Sequence, residues 1–372
     1  MKKASILFLT IAFSTLSLAQ EKLHIKGKLK GLTEEASLIL ISGEQQIEVP
    51  KKGEEFEVEM KLSEAPAPVY LVVKEGQGVK NTRFFLGHET VVIEGSMDNF
   101  SQDIQAVPSE NDKLRYENYL ASKSLRFEIT QLQQDMMELL RRGEQQDLVS
   151  AFYYSEKAPV GKITKVLREV DKIDYVFIEQ HINTAYGRSM LQFVMNRFTD
   201  EELQHLFDLV DPQYKDTKEV KYLDALIHYK KLEVGDSFYD FTALDQEGNT
   251  VHFRDLFQGK PVLLDFSTMN CRTCQEVAPQ TAQLAEELKD QLTYVTYYVD
   301  NKEDIMEMYY ELKNKKGLML WNKAGRLDIA YAKYKNYGTP SYILFDAQGI
   351  VRQVESGYVE DFEQEVKAWL KK

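Results

Sequence analysis

Cysteine is almost missing from this chain. Two occur in 372 residues, at positions 271 and 274. A framework of several disulfides is excluded. So is a zinc site, because zinc takes about four ligands and no histidine stands near the pair. Histidine is scarce too, six in all and without ligand-like spacing; all six are read as ordinary surface or core residues. Positive charge is short: 46 Lys and Arg against 59 Asp and Glu leave a net charge of −13. That argues against nucleic acid and against an anionic membrane surface as partners. After the N-terminal segment, no apolar run reaches the length of a membrane span, so stable membrane insertion is not expected.

What is there describes a soluble globular protein, 43% hydrophobic and 28% charged. At 372 residues it is too long for one ordinary core, and two or three domains are expected. Met1-Lys2-Lys3 is a positively charged start, and Ile6 to Leu18 is a short apolar run. Ser17-Leu18-Ala19 offers small residues for cleavage before Gln20. This pattern predicts a bacterial secretory signal peptide over residues 1–19, too short to span a bilayer and cleaved near Ala19. No cysteine follows the cleavage point, so a lipid anchor is not expected. The mature protein is expected in the periplasm, where disulfides persist.

Residues 20–108 read as a β-rich domain. Leu23-His24-Ile25-Lys26-Gly27-Lys28-Leu29 alternates apolar and polar, and so does Phe56-Glu57-Val58-Glu59-Met60 after the turn at Lys51-Lys52-Gly53. Val69 to Val73, Phe84 to Leu86 and Val91 to Ile93 are further short strands. Strands at this spacing predict a sandwich or barrel. Residues 109–231 read as a helical connector, with Leu125, Ile129, Leu132 and Met136 at helical steps, and a break at Lys157 to Gly161. Thr199-Asp200-Glu201-Glu202 before Leu203 reads as a capped helix start. From residue 232 the pattern is α/β. Val251 to Phe253, Pro261 to Phe266, Leu292 to Val299, Leu318 to Trp321, Ser341 to Phe345 and Ile350 to Val354 are expected strands. Val277 to Leu288, Lys302 to Lys315, Leu327 to Tyr334 and Phe362 to Leu370 are expected helices.

The stretch that carries chemistry is Pro261 to Pro279. A strand, Val262-Leu263-Leu264-Asp265-Phe266, delivers Cys271-Arg272-Thr273-Cys274 to the first turn of a helix. A helix N-terminus has unpaired N–H groups and partial positive charge, and both favour a thiolate, the form that attacks disulfides. Cys271, at the helix start, is the expected nucleophile, with Arg272 adding positive charge beside it. Cys274, one turn on, is expected to be more buried and to act as the resolving thiol. Haem attachment would need a histidine after the second cysteine, where Gln275 stands. An inert structural disulfide would close a very small loop and remove little chain entropy. Asp265 lies six residues before Cys271; a carboxylate there is costly to bury and invites explanation.

These motifs resemble the thioredoxin-fold thiol-disulfide oxidoreductases, in the exported, AhpC/TSA-related branch that includes TlpA and ResA, over residues 232–372. Val234-Gly235-Asp236 with Phe238, Asp240 and Phe241, the hairpin Gly248-Asn249-Thr250-Val251 with Asp255-Leu256, and Gly338-Thr339-Pro340 all resemble that branch. The resemblance implies a cis Pro340, a Thr339 backbone that pairs with an incoming peptide, and Asp265 as proton acceptor for Cys274. Arg272 and Thr273 would line the substrate-facing rim. There are departures: Asn270 stands where the family has Trp, Ser267 where another aromatic is common, Thr273 where Pro is frequent, and Glu276 comes one residue early. The N-terminal part resembles the DUF4369-type domain found before thioredoxin domains in Bacteroidetes, on Ile25-x-Gly27 and on Phe84-Phe85-Leu86 through Ile93-x-Gly95.

The expected architecture is multidomain: an all-β sandwich-like domain, an α-helical connector and a C-terminal α/β thioredoxin fold. The expected activity is thiol-disulfide exchange on exported protein or peptide disulfides, with no cofactor and a membrane protein as electron donor. Two alternatives stay open. One is a peroxiredoxin-like peroxidase, since Thr268 precedes Cys271 by three, although Leu264 stands where that motif has proline. The other is a non-catalytic periplasmic binding protein.

Overall fold

The structure, a computed structural model, describes residues 22–100, 103–143, 151–152, 161–194, 196–300, 311, 316–336, 338–358 and 361–370. The expected leader at 1–19, the break at 157–160 and, apart from Glu311, the helix expected over 302–315 lie outside them. The chain divides into two compact units, Met1–Leu120 and Ala121–Lys372.

Period-2 patterning builds the first unit. In β1 (Leu23–Lys30), Leu23, Ile25 and Leu29 are buried, and in β5 (Glu55–Met60), Phe56, Val58 and Met60 are. With β4 (Lys51–Lys52), β8 (Thr90–Ser96) and β9 (Ala106–Val107) they form a five-stranded sheet, β4-β5-β1-β8-β9. A second sheet, β3-β2-β6-β7, holds β2 (Ser37–Ser42), β3 (Gln45–Val49), β6 (Ala67–Glu75) and β7 (Gly78–Leu86). Both sheets contribute to one apolar core, with Ile25, Val58 and Val91 from the first and Leu40, Leu71 and Phe84 from the second. Gly27 lies opposite Phe56, and a Cβ there would sit 2.0 Å from the Phe56 ring, so only glycine fits. The β2–β3 hairpin was not foreseen from the sequence. A 32-residue helix, α1 (Glu110–Arg141), follows. Its first turn is tied down by a buried pair: Arg115 Nε donates to Asp112 Oδ1 at 2.5 Å, and Asp112 also accepts from the Phe85 and Ala106 amides. A buried carboxylate so supplied with donors is tolerated.

The second unit contains the helices α2 (Lys162–His181), α3 (Ala185–Ser189), α4 (Asp200–Asp208) and α5 (Lys218–His228). The capping box expected at α4 is present: Thr199 Oγ1 accepts from the Glu202 amide at 3.2 Å, and Glu202 accepts from the Thr199 amide at 2.8 Å. A seven-stranded sheet has the order β11-β10-β14-β13-β12-β15-β16. Its strands are β10 (Thr242–Leu244), β11 (Thr250–His252), β12 (Val262–Ser267), β13 (Thr293–Tyr298), β14 (Leu318–Trp321), β15 (Ser341–Phe345) and β16 (Val351–Ser356). The β12, β13 and β14 strands run parallel, and β15 and β16 are antiparallel. Between β12 and β13 lies α6 (Arg272–Glu287); α7 (Ile329–Lys333) precedes β15 and α8 (Phe362–Trp369) ends the unit. This is a thioredoxin-like α/β fold.

Every residue of β12 is buried, as a central strand covered on both faces requires. Val262, Leu264 and Phe266 join an aromatic-rich core with Phe241, Phe253 and Phe345. Leu263 faces the other side, with Leu284 of α6, Leu288 just past its end, and Phe362 and Val366 of α8. Two of the boundaries that differ from expectation have a clear local cause. The strand expected through Phe253 ends at His252, because Phe253 opens a 3-10 turn and its amide donates to Phe241 O at 3.0 Å. The helix expected from Val277 begins at Arg272, since Cys271 already serves as its cap. Among the described residues, no helix is long and apolar enough to cross a membrane.

Candidate active site

Where β12 ends, the chain makes a three-residue loop and enters α6. Cys271 is the N-cap, in extended conformation (φ −93, ψ 109). Its Sγ accepts from the Cys274 backbone N–H at 3.0 Å. The two cysteines form a disulfide, with 5.2 Å between their Cα atoms. Cys271 is half-buried; Cys274 is 1% exposed, on the buried stripe of α6 with Val277, Ala278 and Thr281. The expected difference in exposure is thus present.

The loop before Cys271 is held by a residue that sequence reading passed over. Asp300, two residues past β13, accepts from the Thr268 hydroxyl, and from the Met269 amide at 3.1 Å. Gln275 donates from its side chain to Met269 O, closing the loop onto the first turn of α6.

A second loop faces the cysteines. The Thr339–Pro340 bond is cis, and Cys271 Sγ lies 3.2 Å from the Thr339 carbonyl oxygen. Three contacts fix this loop: Gly338 N donates to Asn336 Oδ1 at 3.2 Å, Gly357 N donates to Pro340 O at 2.9 Å, and Lys335 Nζ donates to Asp200 Oδ1 of α4 at 3.1 Å. Lys335 is a buried non-glycine residue at φ 43, in the left-handed region that side chains disfavour. Beside the loop is a cleft of about 280 Å³, lined in part by Leu232, Lys335, Asn336, Pro340, Ile343 and Val354.

Thr273 is exposed at the rim. So is Arg272, but its guanidinium donates to Glu276 Oε1 at 2.7 Å, one turn along the helix. The free cation expected beside Cys271 is therefore matched by a carboxylate.

Asp265 sits in the middle of β12, 1% exposed. Alternation places it on the α6 face, with Leu263. The Tyr294 hydroxyl, on neighbouring β13, donates to its Oδ2 at 2.8 Å. Burial, then the Asp265 carboxylate and Tyr342, push the Tyr294 phenol well above the ordinary tyrosine range. Tyr294 is the second residue the sequence reading missed. Five of the six residues of β13 carry a hydroxyl, so no alternation singled Tyr294 out.

The profile of the AhpC/TSA family matches residues 234–354. No curated protein matches the chain. Among solved structures, it is similar to the thioredoxin domain of a thiol-disulfide oxidoreductase from Bacteroides vulgatus, at 25% identity over 38% of this chain and 99% of that one, TM-score 0.35. It is similar to a thiol:disulfide interchange protein from Bacteroides sp., at 24% identity over 38% and 92%, TM-score 0.35. A thiol-disulfide oxidoreductase from Bacteroides fragilis matches at 16% identity over 36% and 98%, TM-score 0.34. The C-terminal part of the chain is an AhpC/TSA-family domain of thioredoxin-like fold that carries a Cys-x-x-Cys pair.

Proposed function

We propose that this protein is a periplasmic thiol-disulfide oxidoreductase acting on disulfides of exported proteins. The observation that carries the reading is the environment of Cys271 Sγ: a helix N-terminal amide at 3.0 Å on one side and the Thr339 carbonyl at 3.2 Å on the other. The amide stabilises a thiolate. The Thr339–Pro340 loop offers backbone to an extended peptide, which would bring its disulfide to Cys271.

The reaction has two steps. The Cys271 thiolate attacks one sulfur of the substrate disulfide, and the other leaves as a thiolate. Cys274 then passes its proton to Asp265 and attacks Cys271 Sγ, so the mixed disulfide breaks and the Cys271–Cys274 disulfide forms. Two electrons reach the substrate, and a donor must return them; a membrane protein fits that role. Arg272 and Thr273 would meet the substrate at the rim. The leader-like residues 1–19 support export, and the Gly27 and Gly95 strands support a DUF4369-type N-terminal domain. The peroxidase reading is weakened because the Thr268 hydroxyl is committed to Asp300.

The test is trapping. Cys274→Ser expressed with its leader should accumulate mixed disulfides that dithiothreitol releases, and the Cys271→Ser/Cys274→Ser protein should accumulate none. Insulin reduction that survives in Cys271→Ser would overturn the reading.

A further inference from the structure

We propose that Tyr294 is a positioning residue that holds the Asp265 carboxylate in place to take the proton of Cys274. The inference rests on reading Asp265 as that acceptor. A carboxylate buried to 1% exposure is costly unless hydrogen-bond donors compensate and fix it. The buried cations among the described residues, Arg115 and Lys335, are paired with Asp112 and Asp200.

The donor is in place. Tyr294, itself 3% exposed, directs its hydroxyl to Asp265 Oδ2 at 2.8 Å. Held in its protonated form by burial and by the carboxylate, the phenol has its proton to give. The Thr281 hydroxyl is a second hydrogen-bond partner of the phenol. Thr281 lies seven residues beyond Cys274, two turns along the same buried stripe of α6. One helix face thus carries both the thiol that loses the proton and the hydroxyl that holds Tyr294.

Other groups face Asp265 from the elements around it. Tyr342 of β15 is its register partner and is buried. From β13 come Tyr294 and Thr296, the latter its parallel register partner. On α6, whose buried side packs against Leu263, Cys274 and Thr281 are buried; Arg272, Glu276, Glu286 and Glu287 of that helix are exposed. From α8 come the apolar Phe362 and Val366.

The experiment follows the resolving step in the full-length reduced protein by stopped flow with 5,5′-dithiobis(2-nitrobenzoate). The first thionitrobenzoate reports attack by Cys271, and the second reports resolution by Cys274. Tyr294→Phe should slow the second phase about tenfold, the worth of a hydrogen bond to a charged group, and leave the first phase within about twofold. Asp265→Asn should slow the second phase as well, and adding Tyr294→Phe to it should slow that phase by less than about twofold more, because the hydroxyl acts through the carboxylate. A purely structural role of Tyr294 would slow both phases, or add its full effect to that of Asp265→Asn. If Asp265→Asn leaves the second phase unchanged, the proton-acceptor reading fails. If it slows that phase while Tyr294→Phe does not, only the role of Tyr294 fails. Should Tyr294→Phe not fold, Thr281→Val carries the test, with a smaller slowing of the second phase alone expected and an unchanged second phase overturning the proposal.

Discussion

The Cys274 amide donates to Cys271 Sγ at 3.0 Å, so the backbone of the proposed resolving residue stabilises the proposed nucleophile. The Thr339 carbonyl, 3.2 Å from the same sulfur, acts in the opposite sense, because it can accept only from a protonated thiol. Magnitudes decide between them. An amide bond to a thiolate is charge-assisted and about twice as strong as a neutral one. The helix terminus adds about 0.3–1 kcal/mol, while a thiol-to-carbonyl bond is weak. The thiolate is therefore favoured, and Cys274 is closed off from solvent. In the reduced protein, iodoacetamide should label Cys271 at least about tenfold faster than Cys274 at pH 7, with a labelling midpoint below the ordinary value of about 8.5. Equal rates by peptide mass mapping would contradict this.

The Arg272–Glu276 pair changes an expectation for the redox potential. From sequence, Arg272 stabilises the reduced form and raises the potential. Its side chain is 91% exposed and bonded to Glu276, and such surface pairs contribute about 1 kcal/mol at most. About 30 mV corresponds to 1.4 kcal/mol for this couple. Arg272→Gly should then lower the potential by less than about 20 mV. Glu276→Gln, which leaves the cation without its partner, should raise it slightly. Glutathione equilibration of the three proteins decides the order; a large fall in Arg272→Gly would restore the charge to the account.

Much of the fold was legible because its signals are local. Alternation marked β1 and β5, the apolar run Val262-Leu263-Leu264 marked β12, and Cys-x-x-Cys with Gly338-Thr339-Pro340 marked the two loops that meet. What stayed hidden lies in long-range pairs. Tyr294 reaches Asp265 across 29 positions, Asp300 reaches Thr268 across 32, and Lys335 reaches Asp200 across 135. The first two are set by the parallel neighbouring of β12 and β13, the third by packing of α5 against α7. No window of sequence contains either. The β2–β3 hairpin is a different case: its turn at Gly43, φ 57, was a readable signal. Ser37–Ser42 is buried or half-buried throughout, so it lacks clean alternation.

Asp300 gives a test of loop placement. Asp300→Ala removes the acceptor for both the Thr268 hydroxyl and the Met269 amide, and should loosen the approach to Cys271. It also removes a negative charge from the loop, which by itself would favour the thiolate. Asp300→Asn separates these effects, since it keeps an acceptor and loses the charge. The expected order of first-attack rates is Asn at or above wild type, with Ala about three- to tenfold below; 1.36 kcal/mol of misplacement is tenfold. First-phase thionitrobenzoate release measures it. An Ala variant as fast as Asn would mean the loop needs no tether.

Asp328 should leave its mark on stability against pH. It is the cap of α7, accepting from the Ala330 amide at 2.8 Å and from the Tyr297 hydroxyl. Burial pushes its carboxyl up to about 6 from 3.8, and the bonds from Tyr297, Ala330 and Tyr331 only partly offset it. The folded protein thus holds this proton more tightly than the unfolded chain. Its contribution is full below 3.8 and is lost as pH rises through about 6. Each pH unit in that window removes about 1.4 kcal/mol, about 3 kcal/mol in all. Asp328→Asn keeps a good capping residue and cannot titrate. Carboxylates held low, such as Asp240 and Asp346, slope the other way but are common to both proteins and cancel in the difference. Both tryptophans, Trp321 and Trp369, belong to the second unit, so their fluorescence in urea follows that unit alone. The variant should match wild type at pH 4, gain on it steadily to about pH 6, and keep that margin to pH 7. Parallel curves across that range would mean that Asp328 ionises in the fold as readily as in the unfolded chain.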